Sequence, residues 1–177
     1  EERRVLVTDD LKLRFLARQL FGADGIASVN LLLAQRAAGS LDPQTAATAC
    51  MKLVVSNYRH VAVDATILEA AARAEQWHPT GAFARVVDTL KGPDTQLQSA
   101  IVVAVEFLRI AWFALVLPQQ RDAIVMAVLD ALAVGRKQNE VLDIVRVAVR
   151  TKFVLLPIAA RDFDRVLNLW ARMHLQG

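Results

Sequence analysis

At 177 residues the chain is long enough for one ordinary domain or two small ones. Hydrophobic residues make up 55% of it and charged residues 22%, which excludes an intrinsically disordered chain and allows a sizeable core. The net charge of +3 permits a polyanionic partner, although a dedicated duplex-binding module carries a denser basic face.

Seven Gly and five Pro, set between long Ala/Leu/Val/Arg tracts, point to a mostly helical protein. A single cysteine, Cys50, rules out an internal disulfide, and with no signal peptide in view a reducing, cytoplasmic setting is expected. Its context, "AATACMKLVV", is an apolar helical stretch, so Cys50 reads as buried filler rather than a nucleophile. The chain opens on Glu1 and enters a strand-like run almost at once, which reads as part of a longer protein.

In chain order, Val5–Thr8 is apolar and β-branched without alternation, as in a short buried strand. Leu13, Leu16, Ala17 and Leu20 then form one helical stripe, with Thr8 or Asp9 as its cap and Gly22 as its stop. "GADG" is a turn, Ile26–Val29 a second strand, and from Asn30 a helix runs to Gly39. Asp42-Pro43 places a capping acid before proline at the first helical position and starts the next helix. His60–Val63 is expected as a third strand, and Asp64 caps a helix through "ATILEAAARAEQW". Strands separated by helices favour an α/β layer with parallel pairing over residues 1–78.

"HPTG" and "KGPD" interrupt the pattern, and beyond them only helices are expected, over 94–117, 119–134, 137–151 and 160–174. The short connections predict helical hairpins over 79–177, with no repeat of 30–45 residues evident. The stretch from Ser99 to Pro118 has bilayer length, but Glu106 and Arg109 near its middle would each cost about 2.5–3.5 kcal/mol on insertion. Spaced i,i+3, they pair on one face of a buried core helix instead, so no membrane partner is expected. The fold class expected is mainly α with a small α/β part: a partial parallel sheet N-terminal and all-α helical hairpins C-terminal.

Chemistry is suggested chiefly by Asp9 and Asp10. Two carboxylates where a strand hands over to a helix sit where open α/β sheets place their sites, and hard cations take such oxygen ligands. The alternative is helix capping with a favourable dipole term of about 0.3–1 kcal/mol per acid. Arg14 and Arg18, i,i+4, with Lys12 nearby, either neutralise an RNA backbone or form the polar face of an amphipathic helix. Tyr58, Arg59 and His60 suit either single-stranded nucleic acid or a helix C-terminus. Glu69, Glu75 and Asp88 fit solvated helix faces. Asp162 and Asp164, in "ARDFDR", are expected to complement the dipole at the start of the last helix, and Trp77, Trp112 and Trp170 to serve core or hairpin contacts. His78 and His174 have no partner at zinc-ligand spacing.

"VLVTDDLKLRFLARQLFG" followed by "IASVNLLLAQRAAG" resembles the C-terminal half of a PIN domain, over roughly residues 5 to 40 and extending toward 75, which implies a PIN-like half over 1–78 and an all-α extension over 79–177. The resemblance implies a metal-dependent ribonuclease in which Thr8 orients the site and Asp10, with Asp9 beside it, ligates Mg2+ or Mn2+ for attack of water on an RNA phosphodiester. Asn30 matches a position where that family sometimes has a polar contact. The family's first acid and an early-helix acid would precede Glu1, so the catalytic site would need the upstream part of the parent protein or a partner protein. The alternative is a non-catalytic α-helical interaction or scaffold module. A third reading is RNA binding on a degenerate PIN scaffold; a homo-oligomer is compatible with each.

Overall fold

The computed structural model describes residues 5–58, 61–92 and 95–175. Strand β1 (Val5–Val7), helix α1 (Leu11–Phe21) and strand β2 (Asp24–Ile26) form a crossover unit whose strands pair in parallel, Val5 opposite Asp24 and Val7 opposite Ile26. Asp10 caps α1: its Oδ1 accepts the amides of Lys12 at 2.7 Å and Leu13 at 3.2 Å. The cap is thus not Thr8 or Asp9, because helical geometry begins only at Leu11. Gly22 ends α1 with φ 61°, a left-handed conformation that favours glycine.

Two expectations for the sheet fail. The second strand covers Asp24–Ile26 instead of 26–29, and helix α2 (Ser28–Ala37) takes up Ser28 and Val29, because Leu31 already donates to the Ala27 carbonyl. No strand forms over Val61–Val63, and His60 lies outside the described residues. Val61 and Val63 instead pack, partly buried, against the helical core. Their β-branched spacing marked alternate burial, and among the described residues no strand pairs with them.

Helices α3 (Pro43–Val55) and α4 (Ala65–Ala74) begin as expected. Asp42 accepts from Gln44 and Thr45, and Asp64 from Thr66 and Ile67. Helix α5 (Gly81–Val87), with a 3-10 turn over Asp88–Leu90, lies in a stretch for which no element is predicted. Its cap comes from outside: Glu75 Oε1 accepts the Ala82 amide at 2.7 Å, so Glu75 is tied down rather than solvated. Then follow α6 (Leu97–Phe113), α7 (Pro118–Ala133), α8 (Gln138–Lys152) and α9 (Pro157–Leu175). Since α9 starts at Pro157, Asp162 and Asp164 lie beyond its first turn. They form ion pairs instead, with Arg121 and Arg165 and with Arg146 and Arg150.

Packing alternates along the chain. Helices α3, α5, α7 and α9 neighbour one another in succession as one layer, and α4, α6 and α8 do so as a second. The result is a stack of helical hairpins. Pro79, Pro118 and Pro157 each precede or open a first-layer helix, at equal intervals of about 39 residues. What recurs at this interval is the proline that precedes or opens a first-layer helix, with little residue identity around it.

One continuous core runs from Ala47 to Trp170, crossing from α3–α4 into the later hairpins. Its aromatic centre pairs Phe83 with Phe107 and Phe153 with Phe163, at ring separations of 5.6 and 5.0 Å. Trp170 is buried and donates to Asp130 at 2.7 Å, while Trp77 and Trp112 are half-buried against the core. Cys50 is buried as expected. Arg136 locks the hairpins by donating to the carbonyls of Leu90, Gly92, Thr95 and Leu132. Helix α6 is the buried helix foreseen, its Glu106–Arg109 pair closing at 2.7 Å. No described helix is long and apolar enough to cross a membrane.

Candidate functional site

Both parallel strands end beside each other, and each hands over to a helix within a few residues. The N-termini of α1 and α2 therefore open near the strand ends, and Asp9 and Asp10 occupy that place. The two acids serve different helices. Asp10 lies over the first turn of α1, its backbone amide donating to Thr8 Oγ1 at 3.3 Å. Thr8 thereby fixes the bend of the loop that carries both carboxylates.

Asp9 turns the other way. Its Oδ1 accepts the Ser28 amide at 2.8 Å, capping α2 from a residue remote in sequence. The same oxygen accepts the Tyr58 hydroxyl at 2.8 Å, from just beyond the end of α3. These bonds, the Ser28 amide foremost and then the phenol, together with the positive charge of Arg14, hold the Asp9 carboxyl below its ordinary value. The same contact raises the Tyr58 phenol, since ionising it would set two anions side by side.

Arg14 is less exposed than its place on α1 suggests. Its stem lies across β2, so close that a Cβ added at Gly25 would stand 2.6 Å from Arg14 Cγ. Glycine is needed there to admit the arginine stem. The Arg14 Nε is buried and makes no hydrogen bond. Asp9, Arg14, Ser28 and Tyr58 thus form one cluster, whereas Lys12 and Arg18 stay exposed on α1. Arg59 and His60 lie outside the described residues. Tyr58 also borders an open hollow of about 830 Å3 with Asn57, Arg85, Asp88 and Thr89.

Asp9 and Asp10 supply two of the three or four acids that the PIN resemblance implies, and each already spends one oxygen on a helix terminus. Mg2+ is commonly held by one or two carboxylates with water and phosphate completing the shell, and here the two acids face different helix termini. Among the described residues no group of three His, Cys, Asp or Glu side chains gathers at one point. Asn30 lies on the exposed side of α2, at the rim of a cavity of about 290 Å3 whose wall includes Cys50 and the Arg36–Asp64 pair. Comparison with family models, curated proteins and solved structures found no match.

Sequence reasoning missed the partnership of Asp9 with Ser28 and Tyr58. No local signal could have shown it, because the phenol comes from the far end of α3, 49 positions along the chain.

Proposed function

We propose that this chain is a helical-repeat interaction module that binds a helical partner segment along its stacked hairpins. The observation that carries the reading is the two-layer order of α3–α9, in which each hairpin packs on the next. Such arrays hold extended surfaces in fixed relation, and those surfaces commonly receive other chains. A groove of about 390 Å3 between α6 and α8 suits this use: Val102 and Val147 stand exposed on its walls, with Glu106 and Lys152 at one end. An amphipathic helix could seat its apolar stripe there. A reducing cytoplasmic setting suits the lone, buried Cys50.

The test is chemical cross-linking of the full chain to its bound partners, with the linked peptides mapped. Links should cluster around α6 and α8 and vanish in Val102→Glu/Val147→Glu, whose fold is unchanged because both valines are exposed. Links that persist in that variant would sink the assignment.

A second reading is favoured by the position of Asp9 and Asp10 at the end of a parallel strand: part of a metal-dependent ribonuclease, completed by acids from elsewhere. Lys12 and Arg18 would then face the RNA backbone, with Arg14 held behind them against β2. In the full-length protein, Mg2+- or Mn2+-dependent RNA cleavage should be lost in Asp10→Asn. Undiminished cleavage by that variant would refute the site, and no cleavage with either metal would leave the interaction reading standing alone.

A further inference from the structure

The cavity of about 290 Å3 lies between α2, α3 and the residues 61–64 that lead into α4. Its floor is apolar and buried: Val29, Ala46, Ala47, Cys50 and Ile67 are each at most 5% exposed. Burial foremost, and then the charge of Asp64, push the Cys50 thiol up, so it lines the floor as a neutral group. Water on that floor would find hydrogen-bond partners only at the rim, so exchanging it for carbon is favourable. Ligand cavities begin at about 300 Å3, and at ~30 Å3 for each non-hydrogen atom this one holds about nine or ten of them. That is the size of a small molecule, not of a chain segment.

Among the described residues that line it, only Arg36 and Asp64 are charged, and both sit at the rim. Arg36, in the last turn of α2, reaches Asp64 Oδ2 through Nη1 at 3.5 Å, a long contact. Asp64 Oδ1 is already taken by the amides of Thr66 and Ile67 and by the Thr66 hydroxyl. Arg36 Nε and Nη2 donate to nothing among the described residues, and neither does the exposed Asn30 side chain beside them. The spare capacity at the rim is therefore to donate hydrogen bonds, while its net charge is zero. We infer that this cavity binds a small, uncharged carbonyl compound with an apolar tail, such as a medium-chain ketone or ester. The tail covers the floor and the carbonyl oxygen accepts from Arg36. A carboxylate of the same length would reach the same nitrogens but meet the Asp64 charge, which Arg36 already balances. An amine would meet Arg36 itself. The site rests on neither the groove between α6 and α8 nor the paired acids Asp9 and Asp10.

The experiment is titration of the full chain with 2-octanone, followed by methyl NMR, with octanoate as the anionic counterpart. Saturable shifts are expected at the methyls of Val29, Ala46, Ala47 and Ile67, with a dissociation constant on the order of 0.1–1 mM. Octanoate should bind at least about fivefold more weakly. Ala46→Leu, which occupies the floor, should abolish the shifts. Because overpacking can also strain the α2–α3 contact, Arg36→Met serves as the second variant. At that half-buried site it keeps the stem and removes the donors, so 2-octanone should bind roughly tenfold more weakly with helical circular dichroism unchanged. No saturable shift in the wild-type chain, shifts scattered over exposed apolar side chains instead of the cavity, or undiminished binding by Arg36→Met would each overturn the inference. Octanoate binding as tightly as the ketone would overturn it too, by showing that Asp64 does not exclude an anion.

Discussion

The crossover unit β1–α1–β2 and the hairpin stack α3–α9 obey the same local rules and end in opposite conditions. Each has acids capping its helices, Asp10 in the crossover unit and Asp42 and Asp64 in the stack. In the stack, Phe83, Phe107, Phe153 and Phe163 are wholly buried. In the crossover unit, Phe15 and Phe21 are 62% and 80% exposed, and α1 has no buried residue at all. Capping and periodicity decide where an element starts and stops, while burial against other elements decides what holds it in place. A two-stranded parallel sheet is marginal by itself, and parallel strands are ordinarily covered on both faces.

The largest test of this contrast compares two phenylalanines. Phe163→Ala should cost about 3–5 kcal/mol in urea unfolding, because it empties the contact between α9, Trp112 and Phe153. Phe21→Ala should stay within about 0.5 kcal/mol of wild type. Comparable losses would mean that α1 is buried in solution and would erase the distinction.

Next in size is Arg136→Ala, which strips the donors from the Leu90, Gly92, Thr95 and Leu132 carbonyls. A loss of about 1–3 kcal/mol is expected, read from the melting of the whole stack. A smaller, local effect is expected for Asp10→Ala. Loss of the α1 cap should cost about 1 kcal/mol, visible as faster amide exchange at Lys12 and Leu13 with exchange in the stack unchanged.

The subtlest expectation concerns the join between the regions. The Asp9 carboxyl titrates below its ordinary value when folded, so its contribution is present above the unfolded-state value of 3.8 and is lost as pH falls through the depressed folded one. Acidification should therefore release the Ser28 amide, seen by NMR as a shift and faster exchange at low pH. In Tyr58→Phe the Asp9 carboxyl should titrate closer to its ordinary value. An Asp9 titration unmoved by that change would show that the phenol does not matter to the join.

Much of the helical order was legible because its signals are local. Asp42-Pro43 and Asp64 start α3 and α4 from their own side chains, and α6–α9 are long enough for periodicity to register. Helix α5 was not legible: it is one short element capped by Glu75 from the preceding turn. The false third strand shows the converse error, since Val61 and Val63 carry the right spacing and lack a partner ladder. At the candidate site, Thr8, Asp9 and Asp10 stood out as a strand-to-helix junction. Which helix each acid serves depends on Ser28 and Tyr58 and required the fold.

The equal spacing of Pro79, Pro118 and Pro157 has a mechanical consequence. Each hairpin is held mainly by the next, so a small rotation at one joint adds to the rotations at the others. Such rotations set the curvature of the stack between α3 and α9, and with it the line of the surface the hairpins present.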